Sequence, residues 1–480
     1  MPQERNAAFL TAMVSCALAT GMIGTAESGL AATQDIADSQ INLAVERSLF
    51  ANDHVPADQI DPSTIDGIVT LTGVVPNLLA KEKAVRQAQM VKGVRAVVDR
   101  IEVRPIRITD TELSKDVSRA LLIDPATDSY DIRVTAAEGT VTLSGTVDSW
   151  VERQLAGTVA KGVRGVKGVT NDIQVKAPGT IRADAEIEAE IERRFDNDVW
   201  FTGTRLDTKV EDGIVTLSGD VGSALQKSRA EFRAYIMGVK SVRNDINVDW
   251  RLRRNLQRTE YPDRTDEEIA RAVENALLYD PRVWSFNPHV SVSDGIVTLT
   301  GLVDNLKAKR AAERDARYTV GVKRVKNYLK VRPKDQPSDE HIGDRVRSAL
   351  AIDPLVDRYD ISTVVRNGTV YLYGTVDNYA EKWRADDLAS RVSGVTVVMN
   401  RLVVQDTLTG ARDWEIKTDI EDELWWSPFV DEEQVQVSVK DGVATLTGTV
   451  ESWWERERAT ENAFEGGARH VRNKLLVVNR

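Results

Sequence analysis

The side chains in this chain best able to ligate a metal or attack a substrate are four histidines, His54, His289, His341 and His470, and one cysteine, Cys16. The histidines stand in four unrelated contexts, without H-E-x-x-H or any similar ligand spacing. They read as ordinary surface or core residues, so no metal and no cofactor is expected. Cys16 has no second cysteine to pair with, which removes a disulfide framework. Gly162, Gly165 and Gly168 look superficially like a phosphate loop, but their spacing fits no nucleotide motif. Catalysis, and with it a small-molecule substrate, is not expected.

The residues that could do binding chemistry are aromatic and basic. Trp200 and Phe201, Trp284 and Phe286, and Trp425 and Trp426 with Phe429 fall in segments that follow helices. Trp150, Tyr379, Trp453 and Trp454 fall at helix starts. Tryptophan is suited to the headgroup level of a bilayer, which makes Trp200, Phe201, Trp284, Phe286, Trp425, Trp426, Trp453 and Trp454 candidate lipid contacts. The other reading is packing against neighbouring parts of the chain. Arg251, Arg253, Arg254 and Arg258 form a basic run in which Arg253 and Arg254 could hold anionic headgroups; a solvated hinge is the alternative.

Composition narrows the partners. The chain has 480 residues, 42% apolar and 29% charged, with a net charge of −11. That is a globular composition and argues against nucleic acid, which selects basic proteins. Residues 1–31 combine an uncharged apolar stretch from Ala7 to Ala19 with small residues near Ala26 and Ala31. They read as a signal peptide for export, with an uncleaved anchor or lipidation at Cys16 as alternatives.

The elements that must position these residues recur. Gly139-Thr-Val-Thr-Leu-Ser-Gly145 has counterparts starting at Gly67, Gly213, Gly295, Gly368 and Gly442, and the second glycines are 72, 74, 82, 73 and 74 residues apart. Six tandem copies of one small domain follow. Each copy begins with apolar residues at i, i+4 and i+8, as at Leu113, Val117 and Leu121, which predicts an amphipathic helix. Asp-Gly, Glu-Gly or Asn-Gly pairs before the phrase predict tight hairpins. Four residues beyond the second glycine stands Asn77, Ser149, Ser223, Asn305, Asn378 or Ser452, each able to cap a second helix. A last strand follows another glycine, as in Gly238 to Val248. The predicted fold is α+β: six α-β-β-α-β units, each a three-stranded mixed sheet with two helices on one face. Their expected bounds are 35–105, 108–178, 182–250, 264–333, 337–405 and 411–480, with a basic linker at 251–263 dividing three copies from three.

The strand phrase G-x-V-x-L-x-G-x-V, followed after a helix by G-V-x-x-V-x-N-x-[LI]-x-V, resembles the BON domain of bacterial osmotically inducible, nodulation-related and envelope proteins. Departures are Asp99 for the usual Asn, Ala444 for a strand Val, and Gly467-Ala468 for Gly-Val. The resemblance implies a periplasmic location in many members, contact with phospholipid, and roles in envelope integrity or osmotic stress, without enzymatic activity. The resulting expectation is a non-enzymatic six-module protein that contacts a phospholipid surface through avidity. The alternative is a scaffold or chaperone-like stress protein binding envelope proteins. The first copy, poorest in aromatic residues, is expected to be a spacer.

Overall fold

The computed structural model describes residues 36–478 except 52–54, 125–126, 128–130, 177–181, 253–263, 279, 281, 284–285, 287, 334–336, 357–359 and 406–411. The expected signal segment, Cys16, His54, Trp284, Arg253 and Arg254 lie outside the described residues. Ala37–Arg480 forms one compact unit containing all six repeats.

The second repeat shows the common plan. A first helix, Asp110–Ile123, leads to an antiparallel hairpin of strands Asp131–Ala137 and Thr140–Val147. The second helix, Trp150–Lys161, returns the chain to the strand Gly168–Val175, which runs parallel to the central strand. The sheet order is hairpin strand, central strand, last strand. Leu113, Val117 and Leu121 from the first helix meet Val141, Leu143 and Val147 of the central strand and Ala156 and Ala160 of the second helix. Each large aliphatic side chain buried in this way contributes about 1.5–3 kcal/mol. Threonines and serines alternate with them on the opposite face of the sheet.

Local chemistry fixes the turns. Glu138 (φ 51°) and Gly139 (φ 79°) both adopt left-handed backbone, the geometry of a two-residue hairpin turn, and every repeat has the same pair. Gly145 (φ 134°) admits no side chain, because a Cβ there would lie 2.0 Å from the carbonyl oxygen of Asp131. Ser149 accepts the backbone N–H of Glu152, while the Glu152 carboxylate accepts the N–H of Ser149, a reciprocal cap. Ser452 accepts the N–H of Glu455 in the same way.

Acidic residues stand in the first turn of each first helix, where they complement the helix dipole. The structure gives the first of them a further task. Asp38, Asp110, Asp184, Asp266, Asp339 and Asp413 each accept both backbone N–H groups of their own hairpin turn, at 2.7–3.1 Å. One carboxylate thus ties the first helix to the tip of the hairpin, 28 and 29 residues along the chain. A second tie joins the last strand to the second helix: Asn171 donates to the Arg153 carbonyl, and Asn244, Asn327, Asn400 and Asn473 repeat the bond. Asp99 has no N–H to donate, and the first repeat replaces the bond with an ion pair from Lys81 at 3.1 Å.

Domains of about 70 residues bury too little surface to be very stable alone, and these complete their cores with residues from their neighbours. Ile352 of the fifth joins the core of the second, and Ile123 of the second joins the core of the fifth. Met90 of the first and Phe429 of the sixth enter the core of the third. The pairing is nested: first with sixth, second with fifth, third with fourth. One hydrogen bond marks each joint. The backbone N–H before a glycine after the second helix donates to the carbonyl two residues beyond the last apolar stripe residue of the partner's first helix. The pairs are Lys92 to Trp426 (2.9 Å), Arg164 to Ile352 (2.7 Å) and Val320 to Asn197 (3.0 Å).

Replacing Asp184 by Ala removes a charged acceptor from two N–H groups. It should destabilise the protein by about 1–3 kcal/mol in urea titration, whereas Asp184→Asn should retain part of that loss. An unchanged midpoint for Asp184→Ala would show that the tie is dispensable.

Candidate binding surfaces

The predicted aromatic contacts divide sharply when the repeats are assembled. Trp200 is 7% exposed and Phe201 is equally enclosed, both lying on a short turn, Val199–Phe201, that closes one end of the third domain's core. This corrects the expectation of rings at headgroup level for these two, since neither has a free face to present. The physical reason is the small core of the third domain, which leaves one end open for large rings to fill. Phe201 packs edge-on to Phe195 at 4.9 Å between centroids. Trp200 packs against Trp454 of the sixth domain at 4.0 Å, with the ring planes tilted by 31°, and also meets Phe429 at 5.4 Å. Tyr318 of the fourth domain meets the edge of Trp454 at 5.8 Å, so one aromatic knot joins three domains.

Charge surrounds this knot. The Arg229 guanidinium lies 4.4 Å from the centre of the Trp200 ring. Asp198 receives ion pairs from Arg229 at 2.9 Å and Arg233 at 2.8 Å. Burial alone would raise the Asp198 carboxyl, but the two arginines outweigh it and hold it below the usual range. Trp453 is held between Arg317 of the fourth domain and Arg456, at 5.2 and 5.0 Å, and its indole N–H donates to the Lys323 carbonyl. Phe286 is partly buried against the core of the fourth domain.

Of the expected pair at the end of the sixth domain's first helix, Trp426 is half-buried and lines the joint with the first domain. Trp425 keeps an exposed face (37%), packs edge-on to Trp426, and lies 4.7 Å from the Lys92 ammonium of the first domain. Among the described residues the most exposed tryptophans are Trp414 (60%) and Trp383 (49%), neither of them a candidate contact from the sequence. A signal for both was present. Trp414 lies off the stripe of Ile416, Ile420 and Leu424, and Trp383 aligns with Glu82, Gln154, Ser228, Arg310 and Glu457 of the other second helices. Those positions face away from a core.

One sheet face also differs from its siblings. In the fifth domain the positions pointing away from the helices carry Val364, Tyr371, Tyr373, Val397 and Met399. The sixth domain has Ser438, Thr445, Thr447, His470 and Arg472 at the same places. Among the described residues no group of three or more His, Cys, Asp or Glu side chains is placed to hold a metal ion. None of the described helices is long and apolar enough to cross a membrane.

Six α-β-β-α-β units built on one turn, cap and clamp grammar define a tandem-repeat protein of small mixed-sheet modules. The BON domain model matches residues 37–105, 109–177, 183–249, 265–333, 338–406 and 412–479, and the chain belongs to the BON-domain family. It is 35% identical over 146 residues to osmotically-inducible protein Y of Escherichia coli K12, covering 29% of this chain and 73% of that protein. It is 33% identical over 139 residues to the outer membrane lipoprotein DolP of Haemophilus influenzae, covering 28% of this chain and 72% of that one. A solved C-terminal domain of CdsD, a structural protein of the Chlamydia trachomatis type III secretion system, aligns with 47% of this chain and all of its own at 18% identity. Its TM-score of 0.13 carries no weight for the fold.

Trp200→Ala would leave a cavity shared by the third and sixth domains. A loss of about 3–5 kcal/mol is expected in chemical denaturation, together with weaker coupling of those domains in hydrogen exchange. A change below ~1 kcal/mol would contradict the knot's structural role.

Proposed function

We propose that this protein is a non-enzymatic component of the bacterial cell envelope that contacts phospholipid surfaces from the periplasmic side, in envelope integrity or osmotic stress. The observation that carries the reading is the exposure of Trp383, Trp414 and Trp425 on a unit whose remaining outward sheet faces are mostly polar. Rings of this type gain from the bilayer interface while keeping their N–H groups hydrated. The names of the two relatives, one osmotically inducible and one an outer membrane lipoprotein, support the setting. The contact sites move accordingly, away from Trp200 and Phe201 and onto Trp383, Trp414 and Trp425. Because the repeats pack into one compact unit, their contacts are presented at set spacings, and weak contacts made together sum to useful avidity.

The apolar sheet face of the fifth domain favours a second reading, a scaffold for envelope proteins, since a flat pleated face suits protein packing. Sedimentation with anionic and zwitterionic vesicles separates the two. Vesicles should pellet the protein, and Trp383→Ser combined with Trp414→Ser should weaken binding roughly tenfold, a loss of about 1.4 kcal/mol, without lowering its stability. Failure to pellet with either lipid would transfer the proposal to protein partners.

A further inference from the structure

The joints between first and sixth domains and between second and fifth domains are the same construction made with different residues. Each encloses a small cavity lined by both helices of both domains. In the second–fifth joint, three lining positions are Val159, Ala349 and Leu388. The corresponding positions in the first–sixth joint are Gln87, Glu423 and Asn462. Three apolar contacts have become three polar side chains, while the backbone bond that marks the joint is kept, Lys92 to Trp426 in place of Arg164 to Ile352.

The polar version is incompletely satisfied by its own protein. Gln87, Asn462 and Arg458 are 0%, 3% and 4% exposed. Gln87 Oε1, Asn462 Oδ1 and Arg458 Nε have no hydrogen-bond partner among the described residues. The three side chains line a cavity of about 20 Å³, large enough for one water molecule. The opposite ends of these side chains converge on Glu465, which accepts from Gln87 at 3.0 Å and Asn462 at 3.2 Å and lies 3.6 Å from Arg458.

Glu423 faces this group. From the sixth domain's first helix it has Asp419 and Asp422 beside it, and from the second helix Arg458, Glu461 and Glu465. The first domain brings Arg47 on its first helix, which pairs with Asp422 and lies 3.9 Å from Asp419, and Lys83 and Arg86 on its second, with Lys92 beyond. We infer that the first–sixth joint is a pH-operated closure, held shut while Glu423 carries a proton and released as that carboxyl ionises, whereas the second–fifth joint, whose carboxylates Asp353 and Asp124 are paired with Arg384 and Arg391, stays shut throughout. Release would uncover Trp426 and the helix faces of both domains, an outcome independent of what the protein contacts in the envelope.

Burial first, and the neighbouring Glu465 carboxylate second, push Glu423 up to about 8 in the closed joint. Parted and hydrated, the same carboxyl returns toward its ordinary 4.5. The closed state therefore binds more protons between these limits. Closure is strongest at the acid end and fades as pH rises toward the upper limit, by at most about tenfold in the closed-to-open ratio per pH unit. Asp419 is also raised, chiefly by burial, and acts in the same direction.

The test measures spin-label distances in the full chain carrying Cys16→Ser, with labels at Thr72→Cys and Lys440→Cys across the first–sixth joint. Labels at Arg133→Cys and Arg366→Cys report on the second–fifth joint. From pH 6 to pH 9 the first pair should shift toward longer distances, and the second pair should not move. Glu423→Gln, nearly isosteric and unable to ionise, should abolish the shift. So should the sibling joint's own residues, Gln87→Val with Glu423→Ala and Asn462→Leu. Persistence of the shift in Glu423→Gln, an equal response at both joints, or no response in the parent protein would overturn the inference. Circular dichroism confirms folding of each variant, and Glu423→Gln decides the matter if the triple replacement does not fold.

Discussion

Small sheets covered by only two helices leave apolar surface uncovered, and the arrangement of this molecule follows from that constraint. Each repeat closes one face of its sheet with its own helices, yet the ends and outer flanks of those helices still need partners. The nested pairing supplies them. Ile123 and Ile352 exchange places between the cores of the second and fifth domains, and Met90 and Phe429 reach into the third. The recurring bond at each joint satisfies a carbonyl near a first helix's end that the helix cannot satisfy internally. A helix terminus therefore serves as the docking point between domains.

The same economy governs the polar residues. A carboxylate at the start of each first helix ties down a hairpin turn, and an asparagine on five of the six last strands ties down the second helix. When Asp99 removed the donor from one such tie, Lys81 supplied a charge in its place. At the joints the balance is less uniform. The second and fifth domains meet through aliphatic side chains and two ion pairs that line the same joint, Arg384 with Asp353 at 2.5 Å and Arg391 with Asp124 at 3.6 Å. The first and sixth meet through Gln87, Glu423, Asn462 and Arg458. Copies that share a fold need not share the energetics of their contacts, and a chain of six can keep some joints firm while leaving another responsive to its surroundings.

Much of the fold could be read directly from residue types. The hairpin turns were legible because left-handed backbone at two successive positions admits few residue pairs, and the capping serines and asparagines because their task is local. The helix stripes were legible from their period. The Asp110 clamp was half legible: an acidic residue at a helix start is expected of the helix dipole, while its use on a turn 28 residues away is not, because nothing local distinguishes the two roles. The aromatic residues were least legible. Trp200 and Trp414 are the same residue type, yet one is sealed beneath a neighbouring domain and the other stands in solvent.

The sequence by itself determined the repeat, its element order, its turns and caps, and the apolar face of every helix, because those depend on interactions within a few residues or on a periodicity repeated six times. Only the tertiary structure decided which domains pair, which rings are buried, and which joint is polar. Those outcomes depend on surfaces brought together across hundreds of residues, where the same side chain has opposite consequences according to what covers it. Glu423 shows the difference most plainly. On an isolated helix it is one more solvated carboxylate; beside Gln87 and Arg458 in the closed joint it becomes a half-buried acid whose charge decides whether two domains stay together.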